Sequence, residues 1–316
     1  MPVALMLMTA ALAIDPDWSL ASPDLIRGAA QGDAQTMFTW GPAGARQWDL
    51  KSRKSAVIQH GDFSAGGCWT PTFGLVLEDS EHRLTSQLKG AIDRNVFLAD
   101  CVETRLFGRT GILLIHRNAQ VRFYEPPDAG SSADRWPYRE IYSIYTPSAQ
   151  TGLLVRDVNG DGFPDLFCGN YWVQSPKEFD LPWRLFAIHP HYKEPLSASF
   201  RLVEAFGGIV AAQREFENRP VFSVFRKPAD IQQLWIEQPL ATHVKRPQAL
   251  LATPRGLIVG EDIGAASRIL HVRNPEDAGT VLAKPGGGVL HAFALPNGGF
   301  VAVLRDRIVA YSLRAQ

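Results

Sequence analysis

Residues 288–314 read GVLHAFA (288–294), LPNG (295–298), GFVAVLRD (299–306) and RIVAYSLR (307–314). Three short apolar runs are punctuated by Pro, Asn, Gly and Asp. Each run is too short for a helix and alternates or is apolar throughout, the pattern of strands joined by tight turns. We label such runs A, B and C. The same order stands just before it: QALLA (248–252), TPR, GLIVGED (256–262) and SRILHVRN (267–274). Residues 103–127 give ETRLF, GRT, GILLIHR and QVRFYEPP. In 208–239 we read GIVAAQREF as A, ENR as the turn, PVFSVFRKP as B and QQLWIEQP as C.

Two units agree residue by residue. Thr70 to Asp79 is TPTFGLVLED and Thr253 to Asp262 is TPRGLIVGED. A fourth run, D, often ends in proline before the next A, as in REIYSIYTP at Pro147, LATHVKRP at Pro247 and GTVLAKP at Pro285. Proline suits a strand end because no further ladder donor is needed there. B strands near 35, 74, 111, 164, 220, 256 and 299 give seven units with a mean spacing of about 44 residues, the period of four-stranded propeller blades. The sequence thus predicts an all-β, seven-bladed propeller of four-stranded blades. The last unit lacks its D strand. Asp17-Trp18-Ser19-Leu20-Ala21-Ser22-Pro23 supplies one, and its pairing with Arg307 to Leu313 would close the ring and remove a free sheet edge.

The 316 residues carry no composition shift that would mark a second domain, so 14–316 reads as one propeller domain. An apolar fraction of 46% argues against disorder, and 20% charged residues argue against a multi-span membrane protein. Lys+Arg and Asp+Glu balance at 32 each, which leaves no electrostatic drive toward nucleic acid. Residues 1–13 contain VALMLMTAALA, too short to span a bilayer, with an Ala-Leu-Ala cleavage-like end. They read as a candidate signal segment, so we expect a secreted or periplasmic protein. The basic residues that should precede such a segment are missing, and an ordinary apolar strand or a misplaced start is the alternative. Cys68, Cys101 and Cys168 form no CxxC pair, so a disulfide framework and a structural zinc site are both disfavoured and at least one thiol stays free.

One motif carries specific chemistry. Asp157-Val158-Asn159-Gly160-Asp161-Gly162-Phe163-Pro164-Asp165 has oxygen side chains at places 1, 3, 5 and 9 and a glycine at 6. Hard oxygens wrapped around one point suit Ca²⁺, with the Phe163 carbonyl added; magnesium prefers a rigid octahedron with several waters. Place 12 is Cys168, where an EF-hand has Glu, and the flanks read as strands. The segment 157–170, DVNGDGFPDLFCGN, resembles the FG-GAP or VCBS repeats of calcium-binding β-propellers. That resemblance implies a calcium loop between the A and B strands of one blade, with Asp157, Asn159, Asp161, Phe163 and Asp165 as ligands. It covers one unit; the other turns, such as LPNGG and ENRP, lack the acids.

Each B strand runs into a polar cluster at the B–C turn, on the face opposite the calcium loop. We read Glu78-Asp79-Ser80-Glu81-His82, His116-Arg117-Asn118, Asn170-Tyr171-Trp172, Arg226-Lys227, Glu261-Asp262 and Arg305-Asp306 in these positions. Glu78, Asp79, His116, Tyr171, Trp172, Glu261 and Asp262 are the ligand-face candidates, fit for a carbohydrate or a protein ligand; a carboxylate pair there could do acid–base work. His189 and His191 stand two apart on an expected strand, more in keeping with a surface pair than a metal pair. No GxSxG and no phosphate loop in its strand–helix context is present. Two functional readings result: a calcium-stabilised binding or scaffold module, or a carbohydrate-active propeller of the lyase or sugar-dehydratase kind.

Overall fold

The computed structural model describes residues 14–117, 120–128, 134–143, 151–189, 200–213 and 222–313. Residues 1–13, Asn118 and His191 lie outside them, so the signal-segment expectation falls outside the described residues. Strand β1 is Trp18–Ala21. Blade 1 is β2 Gly28–Gln31, β3 Thr36–Gly41, β4 Gly44–Asp49 and β5 Lys54–Gln59. Blade 2 is β6 Phe63–Thr70, β7 Gly74–Asp79, β8 Arg83–Ser86 and β9 Gly90–Arg94; blade 3 is β10 Leu98–Leu106, β11 Arg109–His116, β12 Gln120–Tyr124 and β13 Tyr138–Ser143. Blade 4 is β14 Leu153–Arg156, β15 Asp165–Cys168, β16 Tyr171–Gln174 and β17 Arg184–Ala187. Blade 5 is β18 Phe200–Ala205, β19 Gly208–Gln213, β20 Phe222–Arg226 and β21 Ile236–Pro239. Blade 6 is β22 Pro247–Thr253, β23 Gly256–Glu261, β24 Ile269–Val272 and β25 Thr280–Ala283; blade 7 is β26 Val289–Ala294, β27 Phe300–Leu304 and β28 Arg307–Tyr311.

Each sheet is a four-stranded antiparallel meander, and the seventh is completed by β1 in the order β1-β28-β27-β26. Trp18 pairs with Ala310 and Ala21 with Arg307, so the N-terminal strand closes the ring in the expected place. In a meander, A–B and C–D connections share one face and B–C and D–A connections the other.

The core lies between blades. B strands pack a neighbour on each side of the sheet, which is why β7 and β11 read as nearly unbroken apolar runs and are buried almost throughout. Leu113 and Phe123 of blade 3 meet Leu166 and Val173 of blade 4. Val210 and Val224 of blade 5 meet Val259 and Leu270 of blade 6. At the seam, Met37 and Trp48 of blade 1 pack on Val301 and Ile308 of blade 7. Truncating one such buried aliphatic side chain to Ala costs about 2–5 kcal/mol.

Three sequence readings need correction. In blade 5 the assignment is one strand out of step: GIVAAQ is B, FSVFR is C and IEQP is D, while A is Phe200–Ala205. The A–B connection is the two-residue hairpin Phe206-Gly207, in which both residues have positive φ, 55° and 72°. The pair uses backbone conformations natural to Gly and costly to Phe, so it carries no Pro, Asn or Asp turn signal. Arg226-Lys227 consequently sits at the C–D connection, on the side of the acidic loop 157–164.

The second correction is a disulfide, Cys68–Cys101, joining the inner strands of blades 2 and 3; Cys168 is the free, buried thiol, and burial pushes its pKa up to about 12. Neighbouring A strands lie side by side, so cysteines about one blade apart meet without any local spacing motif. The third concerns His189. It follows β17, is buried rather than a surface group, and pairs its Nε2 with Glu237 of blade 5 at 2.9 Å.

Candidate functional site

On the B–C face, the end of β7 reaches across to blade 3. Glu78 is 3% exposed. Its carboxylate accepts hydrogen bonds from Ser64 Oγ at 3.0 Å and the Leu98 backbone N–H at 2.8 Å, and pairs with His82 Nδ1 at 2.5 Å. Asp79 instead caps its own turn, accepting from the N–H groups of Glu81 and Arg83 and from Arg83 Nε at 2.7 Å. His116 is buried and its Nδ1 accepts the Phe97 N–H at 3.1 Å. That bond requires an unprotonated Nδ1. Burial, then the nearby Arg122 and Arg117 charges, lower the His116 pKa to about 4.

These bonds hold Phe97, which sequence reasoning missed. Phe97 is 37% exposed. The His82 imidazole lies 3.8 Å from it, centroid to centroid, and the Arg117 guanidinium lies 4.5 Å from it. An aromatic ring packed against an imidazole and a cation presents apolar area with little rotamer freedom left to lose on contact. The residue stands just before an A strand, in a connection with no charged cluster, so the B–C turn pattern could not flag it.

Glu261 and Asp262 lie at blade 6, separated from blade 2 by blades 7 and 1 on one side and blades 3 to 5 on the other. Glu261 is fully buried and accepts from the Lys245 N–H at 2.7 Å and from Arg268 Nε and Nη2 at 2.8 and 2.6 Å. Asp262 pairs with Arg305 of blade 7 at 3.3 Å. The two acidic pairs therefore do not meet; each fastens its own turn or a neighbouring blade. Tyr171 and Trp172 open strand β16 and face the core. Trp172 is 0% exposed and stacks on Phe186, and Tyr171 packs with Leu113 and Leu166. Neither ring is offered to a ligand, because a C strand begins immediately after Asn170 and its first residues are sandwiched between blades.

The acidic loop 157–164 occupies the A–B connection of blade 4. Asp157 accepts the N–H groups of Gly160, Asp161 and Gly162 at 2.7, 3.2 and 2.9 Å. Asn159 Nδ2 donates to Asp161 at 2.7 Å, and Phe163 N–H donates to Asp161 at 2.9 Å. Gly160 and Gly162 have φ of 80° and 86°, the left-handed conformation that lets a chain coil around one point. Asp165 is completely buried at the start of β15; it accepts Val158 N–H at 3.0 Å and both Ser175 N–H and Oγ, at 2.8 and 3.1 Å. Burial raises its pKa, and Asp161 adds to the rise against the hydrogen bonds. Among the described residues, no group of three or more His, Cys, Asp or Glu side chains is closed into a metal cage. The donor chemistry suits a hard cation: three carboxylates, one amide and the Phe163 carbonyl. Asp165 Oδ2 keeps a second lone pair beyond its one hydrogen bond.

No protein-family model and no curated protein matches this sequence. Solved structures do match. The WD40 β-propeller domain of Doa1 has a TM-score of 0.63 at 10% identity, covering 95% of this chain and 97% of that one. The β-propeller domain of Myceliophteria thermophila Cps50 (Swd1) also has a TM-score of 0.63 at 10% identity, over 95% and 99%. A chain of the mitotic checkpoint complex has the same TM-score at 11% identity, over 100% and 99%. The likeness is one of fold: a seven-bladed β-propeller.

Proposed function

We propose that this propeller is a binding or scaffold module that engages a protein ligand through its B–C face, with Phe97 as the anchor. The observation that carries this reading is the contrast on that face. Glu78, His116 and Glu261 are spent on backbone groups and ion pairs, while one aromatic ring is held rigid and exposed. Anchors of protein interfaces are enriched in fixed aromatic and Arg side chains, and Phe97 and Arg117 supply one of each. A propeller within the mitotic checkpoint complex gives a precedent for this fold in an assembly. With Tyr171 and Trp172 buried, the carbohydrate-active alternative loses the aromatic platform on which it was based.

The finer reading is of FG-GAP or VCBS type. Ca²⁺ would be held by the side chains of Asp157, Asn159, Asp161 and Asp165 and by the Phe163 carbonyl. There it would neutralise charge and fasten the turn; no catalytic step involves it. A secreted or periplasmic location agrees with the Cys68–Cys101 bond, since disulfides persist in oxidising compartments.

The test compares immobilised wild type, Phe97→Ala and Val57→Ala, the last an exposed residue of the outer strand β5. All three are exposed to the secreted or periplasmic proteins of the source cell. A discrete protein held by wild type and Val57→Ala and released by Phe97→Ala is expected. Equal retention by all three overturns the assignment of the face. A hit on a glycan array that persists in Phe97→Ala would restore the carbohydrate reading.

A further inference from the structure

The corrected position of Lys227 places it on the acidic-loop face, where it helps enclose a cleft between blades 4 and 5. The cleft has a volume of about 480 Å³, within the range of small-molecule sites. Its floor is apolar. Phe167 comes from β15, Ile209 from β19 and Trp235 from the residue before β21; Phe167 and Trp235 meet edge to face at 5.4 Å. Gly207 leaves one wall open, since a β-carbon there would meet nothing within 4 Å. Leu234 and Ile236, either side of Trp235, are 45% and 60% exposed.

The charges at the mouth are committed unequally. Arg156 is paired with Glu204 across the two blades, with Nε at 2.5 Å. Asp157 turns its oxygens to three N–H groups of its own loop. Lys227 donates to the Val158 carbonyl at 3.0 Å, and among the described residues no carboxylate pairs with it. An ammonium has three donors, so two remain.

We propose that this cleft binds a small apolar carboxylate, its ring or branched body lying on Phe167, Ile209 and Trp235 and its carboxylate on Lys227. Burial of the apolar body supplies the affinity, and the half-solvated ion pair supplies orientation and the preference for an acid. The inference does not depend on the Phe97 face; the cleft shares Asp157 and Val158 with the acidic loop, so the titration is run both with calcium and with a chelator, and binding in either state supports it.

Calorimetric titration with indole-3-acetate and its neutral amide tests it, on wild type and Lys227→Gln. Lys227 is exposed, so the variant should melt with wild type. Binding of the acid by wild type is expected, at least about tenfold weaker for the amide and for Lys227→Gln. Crystals soaked in the acid should place the ring against Trp235. No binding of the acid at concentrations of about 5 mM, or equal binding by Lys227→Gln, overturns the proposal.

Discussion

The A–B connections of blades 2 and 6 occupy the same place in their blades as the acidic loop of blade 4, yet they are closed by different means. In blade 2 the Thr70 hydroxyl donates to the Gly74 carbonyl at 3.1 Å and accepts the Phe73 N–H at 3.0 Å. Thr253 does the same in blade 6, donating to the Gly256 carbonyl at 2.9 Å and accepting the Arg255 N–H at 3.2 Å. One neutral group that both gives and takes completes the turn. Blade 4 uses carboxylates, which only accept. Asp157 and Asp165 gather the loop's N–H groups, but the charge of three acids remains concentrated in nine residues. A threonine turn is self-sufficient; the acidic loop is closed in geometry and left open in charge.

The largest effect should come from the buried member of the loop. Asp165→Ala would strand the Val158 N–H, the Ser175 N–H and the Ser175 hydroxyl in the core, at a cost of about 3–5 kcal/mol. Denaturant unfolding measures it, and Asp165→Asn should recover part of the loss. A cost under about 1 kcal/mol would mean that the loop is braced elsewhere.

Calcium comes next. At a concentration near 100 times its Kd it should add about 2.7 kcal/mol to wild type, and Asp161→Ala should erase the gain. Thr70→Val and Thr253→Val should keep it. Absence of calcium uptake by wild type in calorimetry would remove the distinction between the two kinds of turn.

The opposite face offers a closure that depends on an imidazole. The His116 pKa is lowered to about 4, so the stability it lends is complete above the unfolded value near 6.5 and is lost as pH falls toward 4. Between about pH 8 and pH 5 the loss should be about 2 kcal/mol. His291, lowered to about 3 by burial and then by Arg201, adds in the same direction. Asp100 and Asp165, raised chiefly by burial, act in the opposite sense at the acidic end. The difference in melting temperature between wild type and His116→Gln, followed across this range, isolates the His116 part. A difference that does not change with pH would contradict the neutral-acceptor role.

The smallest effect belongs to the threonine turns, about 1 kcal/mol for each Val substitution. Thr70, which is fully buried, should cost more than the partly exposed Thr253. Loss of the calcium gain in these variants would show that the charge of blade 4 is not what separates the turns.

Much of the ring was legible because its signals are local. Alternating side chains and Thr-Pro turns repeat in phase, and Trp18 to Ala21 can be assigned to the last blade by counting strands, whereas Pro247, read as the end of a D strand, opens β22, and the D strand of blade 5 is Ile236–Pro239. Blade 5 slipped because its hairpin is Phe206-Gly207. The chain nonetheless holds a guide to it: Phe107-Gly108 makes the same two-residue hairpin in blade 3, with φ of 50° and 83°. RLFGRTGI and EAFGGIVA were a repeat waiting to be aligned. The Cys68–Cys101 bond was hidden because its separation of 33 residues reflects the offset between successive inner strands, which start at 63 and 98. The candidates on the B–C face stand out by polarity alone, and polarity does not distinguish an acid in solvent from one bonded to a neighbouring blade. Trp172 looked like a ligand platform because an aromatic beside a turn reads the same whether it points out or in.

The seam of the ring has a mechanical meaning. Strands β1 and β28 run antiparallel with Trp18 opposite Ala310, so the free end of β1 and the outgoing end of β28 lie at the same end of the ladder. A force drawing residues 14 and 313 apart therefore peels the ladder rung by rung, instead of loading every rung together in shear. The ring should yield at its seam in blade 7 under low tension, before any of the other six blades is torn. As later blades unravel, the Cys68–Cys101 bond withholds its enclosed segment. The oxidised chain should end shorter than the reduced chain by about 110 Å, the stretched length of some 33 residues.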